Sequence, residues 1–222
     1  MAKYQAEQPE DCCPARRRGR PVQMDHDARE AAILDAAHEL MMEQGFDRVT
    51  MAGIARRAGM SKRTLYEYFD GQEALLGQVI ARLSASFFRP LPAEDADKPL
   101  AERLRFLLTF NKPHGTDQQK REFMRTIIAR AQTYPTLARE LVQNGHERIV
   151  GYVLVELRRE IAAGRLRLTE ERAALAAKIL VSMVFEDPIP CLLDAGRPEA
   201  TPEQRAERRD LAISLFLNGC SV

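Results

Sequence analysis

Between Thr50 and Phe69 the sequence sets Arg56, Arg57, Lys62 and Arg63 against a single acid, Glu67. Cationic side chains gathered in so short a stretch suit phosphates and base edges better than bond-making chemistry. A second basic run, Arg16, Arg17, Arg18 and Arg20, lies between Pro14 and Pro21, and the stretch between the two runs, Asp25 to Asp47, is acidic. The net charge of +1 therefore averages over segregated blocks, and it argues against a uniformly basic coat.

Local signals say how these residues are held. Asp27 with Glu30 fits a capping box, Ile33, Ala37, Leu40 and Met41 recur at helical spacing, and Gly45 stands where that helix would stop. Thr50 is placed to cap a short helix, Met51 to Ala58, and Ser61 to cap another, Lys62 to Tyr68. Two short helices joined by a tight turn through Gly59, with basic residues on the second, match a helix-turn-helix that reads DNA. Asp70 with Glu73 makes a further capping box, opening a helix that runs towards Phe88 and ends at Pro90.

The run from Val49 through Ile54-Ala55, Ala58-Gly59, Ser61, Leu65-Tyr66 and Tyr68-Phe69 to Leu76, with the helix before it, resembles the DNA-binding domain of the TetR/AcrR repressor family. The resemblance extends from Ala31 to Ile80. It implies that Thr50 and Ser61 help fix backbone phosphates, that Lys62, Arg63 and Thr64 approach base edges, and that Tyr66 and Tyr68 touch phosphate or sugar. Capping alone is an equally simple role for Thr50 and Ser61, and Phe69 with Leu65 reads as plain core. Gln72 replaces the lysine usual in the family, so a neutral hydrogen bond stands where a phosphate charge is expected. Further on, the segment Arg125 to Arg139 is similar to the AefR-like branch of the same family.

Residues 1 to 24 lack apolar periodicity and read as a mobile arm. Its Arg18-Gly-Arg20-Pro21 resembles an AT-hook, in which Arg18 and Arg20 enter a narrow minor groove; a solubilising tail is the simpler alternative. The rest divides into a helix-turn-helix domain, 25 to 71, and a helical domain for ligand binding and dimerisation, 72 to 222. Helical patterns at 100 to 110, 116 to 132, 135 to 163, 169 to 186 and 202 to 218 make the fold all-α, with about nine helices. Within that body Phe87, Phe88, Phe106, Phe110 and Phe123 are candidates to line a ligand pocket, as are Met124, Tyr152, Met183 and Phe185, although each taken alone reads as core. Leu180, Met183, Leu211, Leu215 and Phe216 are expected at or near a dimer seam built from the last two long helices.

No nucleophile elbow, phosphate-binding loop or dinucleotide fingerprint occurs, so no enzyme is expected. His26, His38, His114 and His146 lack metal-ligand spacing, and no metal or cofactor is expected. Cys12, Cys13, Cys191 and Cys220 read as free thiols. Hydrophobic residues at 45% suit a folded chain, and without an apolar run of about 18 residues or a signal segment the expected location is the cytoplasm. The function these readings imply is a homodimeric repressor on a palindromic operator, with double-stranded DNA and a small-molecule effector as partners and no membrane. The alternative is an architectural or nucleoid-linked DNA-binding protein of the same fold, governed by a protein partner.

Overall fold

The computed structural model describes residues 25–110, 117–194 and 196–220. Eleven α-helices and no sheet are found among the described residues: α1 (His26–Gln44), α2 (Met51–Arg57), α3 (Lys62–Tyr68), α4 (Gln72–Phe87), α5 (Leu100–Leu107), α6 (Asp117–Arg130), α7 (Pro135–Leu141), α8 (Arg148–Ala162), α9 (Glu170–Val184), α10 (Ile189–Leu193) and α11 (Pro202–Cys220). A π-helical segment, Val142–Glu147, joins α7 to α8 without a break. None of these helices is long and apolar enough to cross a membrane.

Several starts differ from the sequence reading. Asp25, not Asp27, caps α1, its carboxylate accepting from the His26 amide, which leaves Asp27 inside the first turn. Gly71 precedes α4 at φ +104°, a value that favours glycine, and no side chain caps that helix. Glu73 instead accepts from the Thr136 amide at 3.3 Å, so its carboxylate serves the first turn of α7. At α11 the Thr201 hydroxyl accepts from the Gln204 amide while the Gln204 side chain accepts from the Thr201 amide, a reciprocal capping box. The last helix, α11, continues to Cys220, two residues beyond the pattern read at 202 to 218. The short α10 has no counterpart in the sequence reading, because five residues containing Pro190 carry no helical period. Arg125 steadies it from α6 by donating to the Leu192 and Cys191 carbonyls.

Apolar burial falls into two clusters. The first joins Ile33, Ala37 and Leu40 of α1, Ile54 of α2, Leu65 of α3 and Leu75 to Ile80 of α4 with Ile127 of α6 and Leu137 of α7. The second joins Phe88, Leu104 and Leu107 to Ile149, Val153 and Leu157 of α8, Ala177, Leu180 and Val181 of α9, and Ala212, Ile213 and Phe216 of α11. Clusters on this scale account for most of the stability, since burying one such side chain contributes about 1.5–3 kcal/mol.

One charged group is buried with the second cluster. Arg103, 3% exposed, donates from its two terminal nitrogens to Glu156 and Glu160, and Arg165 adds bonds of 2.5 and 2.9 Å to Glu160. The Arg165 guanidinium, then that of Arg103, holds the Glu160 carboxyl below the usual carboxylate range. A group held this low contributes its full stabilisation above the unfolded value of about 4.3, and loses it as pH falls through the folded value. Arg103→Met takes from buried Glu156 its guanidinium partner and leaves Glu160 with Arg165 alone, and should lower stability by about 3–5 kcal/mol. Urea unfolding at neutral pH checks this, and the gap from the wild type should narrow as pH falls, because the Glu160 contribution that Arg103 supports is lost there in the wild type.

Candidate nucleic-acid interface

Three helices build this surface, and each detail of it is local in origin. The Thr50 hydroxyl accepts from the Gly53 amide at 3.1 Å and opens α2. At the other end Gly59, at φ +67°, donates to the Arg56 carbonyl while the Met60 amide reaches the Ala55 carbonyl. This pair of bonds terminates a helix around a left-handed residue, and a side chain there would be strained. Ser61 then caps α3, accepting from the Thr64 amide at 3.0 Å.

Within α3 only Leu65 is buried, and Phe69, immediately after it, is buried on the same side. Lys62, Arg63 and Tyr66 are all exposed, Tyr66 to 56%, with Arg63 on the face opposite Leu65. Thr64 is half-buried. Tyr68 is not a free surface group: its ring lies 4.5 Å from that of His26, against the start of α1. Arg18 and Arg20 lie outside the described residues.

The basic block is less uniform than its sequence. Arg57 bonds Glu43 at 2.5 and 2.9 Å and Glu39 at 3.0 Å, so its charge ties α2 to α1. Hydrogen bonding to Arg57 lowers the Glu43 carboxyl below its usual range. Two acids four residues apart on α1 were the available sequence signal for this partnership. Arg63 pairs with Glu67 at 3.3 Å, but its side chain is 90% exposed and such a pair is weak and salt-screened. Gln72 is half-buried, and its amide nitrogen donates to the Val49 carbonyl at 2.9 Å. That bond pins the start of α4 to the segment leading into α2, a role the sequence reading did not assign.

The candidate pocket residues do not gather in one place. Phe88, Phe110 and Phe185 form a ring cluster with centroids 4.9 to 5.5 Å apart. Phe87, Phe106, Tyr152 and Met183 also pack on the second cluster, whereas Phe123 packs on the first, because α6 turns that side chain towards the head. Met124 is half-buried on α6. A surface groove of about 180 Å³ is bordered by Leu91, Lys98, Arg105 and Phe106, among others, so Phe106 alone of the nine reaches it. Sites for drug-sized ligands span about 300–1,000 Å³.

The seam residues also separate. Leu180 and Phe216 are buried within the protomer and Met183 is half-buried, since α9 and α11 turn these side chains inward. Leu211 and Leu215 are exposed, and so are Leu175 and Ile179 of α9, which the sequence reading omitted.

Two family models match the chain. Residues 33–79 match the tetR family of bacterial regulatory proteins, and residues 102–219 match the C-terminal domain of AefR-like transcriptional repressors. The chain belongs to the TetR family. That makes it a helix-turn-helix transcriptional regulator and not an enzyme. Its curated relatives include the regulator YdeS of Bacillus subtilis, 42% identical over 60 residues, which are 27% of this chain and 29% of YdeS. EthR of Mycolicibacterium smegmatis is 34% identical over 100 residues, 43% of this chain and 45% of EthR. The match thus spans less than half of either relative. Among solved structures, a TetR-family regulator from Mesorhizobium loti has a TM-score of 0.68 at 23% identity, and the flavonoid-responsive regulator FrrA one of 0.64 at 28%. Each alignment covers 87% of this chain and 97% of the other.

Gln72→Ala removes the bond to Val49 and should lower stability by about 1 kcal/mol, read as a shift in the urea midpoint. A side chain that served DNA alone would leave that midpoint unchanged.

Proposed function

We propose that the chain is a homodimeric transcriptional repressor that inserts α3 into the major groove of a palindromic operator and is released by a small molecule. The observation that carries this reading is the two-sided character of α3, anchored through Leu65 and free to present Lys62, Arg63 and Tyr66. Lys62, Arg63 and Thr64 then approach base edges, a guanidinium being suited to guanine O6 and N7. Thr50 and Ser61 flank them near backbone phosphates, and Tyr66 meets phosphate or sugar with Tyr68 at the margin. Gln72 contributes by holding Val49, and Arg18 and Arg20 reach into the adjacent minor groove.

Dimerisation uses the outer faces of α9 and α11. Leu175 with Ile179, and Leu211 with Leu215, are apolar pairs at i,i+4 with 48 to 60% of their surface exposed, and two copies of this helix pair make a four-helix bundle. The bundle sets the two reading helices one turn of DNA apart, about 34 Å. The effector binds in the body and must favour the DNA-free shape in order to release the operator. The likeness to a regulator named for its flavonoid response supports control by a small molecule.

Lys62→Ala and Tyr66→Ala should each weaken binding to a duplex selected from a random-sequence pool by about tenfold or more, with thermal stability unchanged. Gel shifts and melting curves measure the two quantities, and wild-type affinity in both variants would remove α3 from the interface. The seam has a separate test. Leu211→Glu with Leu215→Glu should give a monomer by analytical ultracentrifugation at micromolar concentration and weaken binding to the same duplex.

A further inference from the structure

Two helical rods connect the apolar clusters. One is α4, with Leu75 to Ile80 in the head cluster and the adjoining Phe88 in the body cluster. The other is the helix from Pro135 to Ala162, with Leu137 in the head cluster and Ile149, Val150 and Val153 in the body cluster. Between these two anchors lies the π segment Val142–Glu147, in which no residue is buried. A π turn holds an extra residue relative to the α-helix, and such turns are frequent at functional positions.

Both ends of the wide turn are clamped. On its N-terminal side Leu137 is 1% exposed, the Thr136 amide is held by Glu73, and Gly77 of α4 lies against Leu137 and Glu140. Ile149, also 1% exposed, anchors the C-terminal side. A side-chain ladder spans the turn itself. Asn144 donates to the Glu140 carboxylate at 2.6 Å and to its carbonyl at 3.2 Å, and Arg148 donates to the Asn144 side-chain oxygen at 2.7 Å.

We infer that Val142–Glu147 is a register joint, through which rearrangement of the body cluster is passed to the head. When the extra residue migrates out of this turn towards either end, the helix it crosses shifts by about 1.5 Å and rotates by about 100°. Leu137 then changes its setting among Ile127 and the head residues. Within the segment, which buries nothing, only the ladder opposes the shift; at its ends the packing of Leu137 and Ile149 opposes it and favours two discrete states over a continuum. The inference rests on the regulator reading, since it names the route by which an effector in the body reaches α3.

Deleting exposed Gln143 from the full-length chain removes the extra residue without removing a packed side chain, and Asn144→Ala weakens the ladder alone. Hydrogen-exchange mass spectrometry of both variants decides the matter without DNA. A register joint changes exchange at amides of α1 to α3 by tenfold or more; a change confined to residues near 142–147 overturns the inference. If the deletion variant does not unfold cooperatively, Asn144→Ala is the deciding variant by the same criterion. Affinity for the duplex selected by the wild type is measured in parallel and should change by tenfold or more in the variant that shows the exchange effect. A wild type that selects no duplex defeats the DNA-binding reading, while the exchange result still decides the joint.

Discussion

Ile127 of α6 and Leu137 of α7 are buried in the same cluster as Ile33, Ile54 and Leu65, and the reading surface depends on that shared burial. Helices α2 and α3 have seven residues each, well below the roughly 12–15 at which an isolated helix becomes even marginal in water. Packing must therefore supply what propensity does not. Further ties run across the same boundary: Asp47 to Arg130 at 3.2 Å, and the Phe46 ring edge-on to Tyr134 at 5.9 Å. A head that completes its core with residues of α6 and α7 is oriented by those helices, so any change in their position is felt at α3.

Electrostatics divides the arginines by burial. Arg103 is fixed, because removing it takes from buried Glu156 its guanidinium partner and from buried Glu160 one of two. Arg57 is exposed enough for water to share in its solvation, yet two acids of α1 hold it in place against α2. Arg63 is held least: one exposed partner four residues away gives a contact that an incoming phosphate or guanine readily replaces. The net charge of +1 says nothing of this ordering, which follows from where each guanidinium finds its partner.

What the sequence made legible was what is decided within about five residues. The Thr50 and Ser61 caps, the Gly59 turn and the inward Leu65 are settled by bonds and spacings that short, and the structure has them as read. Glu73 has its partner 63 residues away and Gln72 has its partner 23 residues away, so neither role was visible in a local pattern. Periodicity marks an apolar stripe but not the element it meets. Phe123 was therefore readable as apolar and helical, and not as a residue of the head. The π segment was hidden for a related reason, since one extra residue in a turn is imposed by anchors on both sides rather than by its own composition.

The faces of α9 show the same limit and turn it to use. Its inward side carries Ala173, Ala176 and Ala177 beside Leu180 and Val181, while the larger Leu175 and Ile179 face outward. Size alone would predict the reverse. Small inward residues let α8 and α11 approach closely, so that large side chains on that side would overpack the space and be strained. The leucine and isoleucine left outside have no such contact to explain them. Each leaves about half its surface in water and forgoes roughly half of the 1.5–3 kcal/mol that full burial contributes, and Leu211 and Leu215 on α11 do the same. Scattered singly such residues would need no explanation, but here they come as i,i+4 pairs on two helices that pack together. An apolar pair on each of two adjacent helices is what a symmetric bundle requires, because each copy then meets the same pairs on the other.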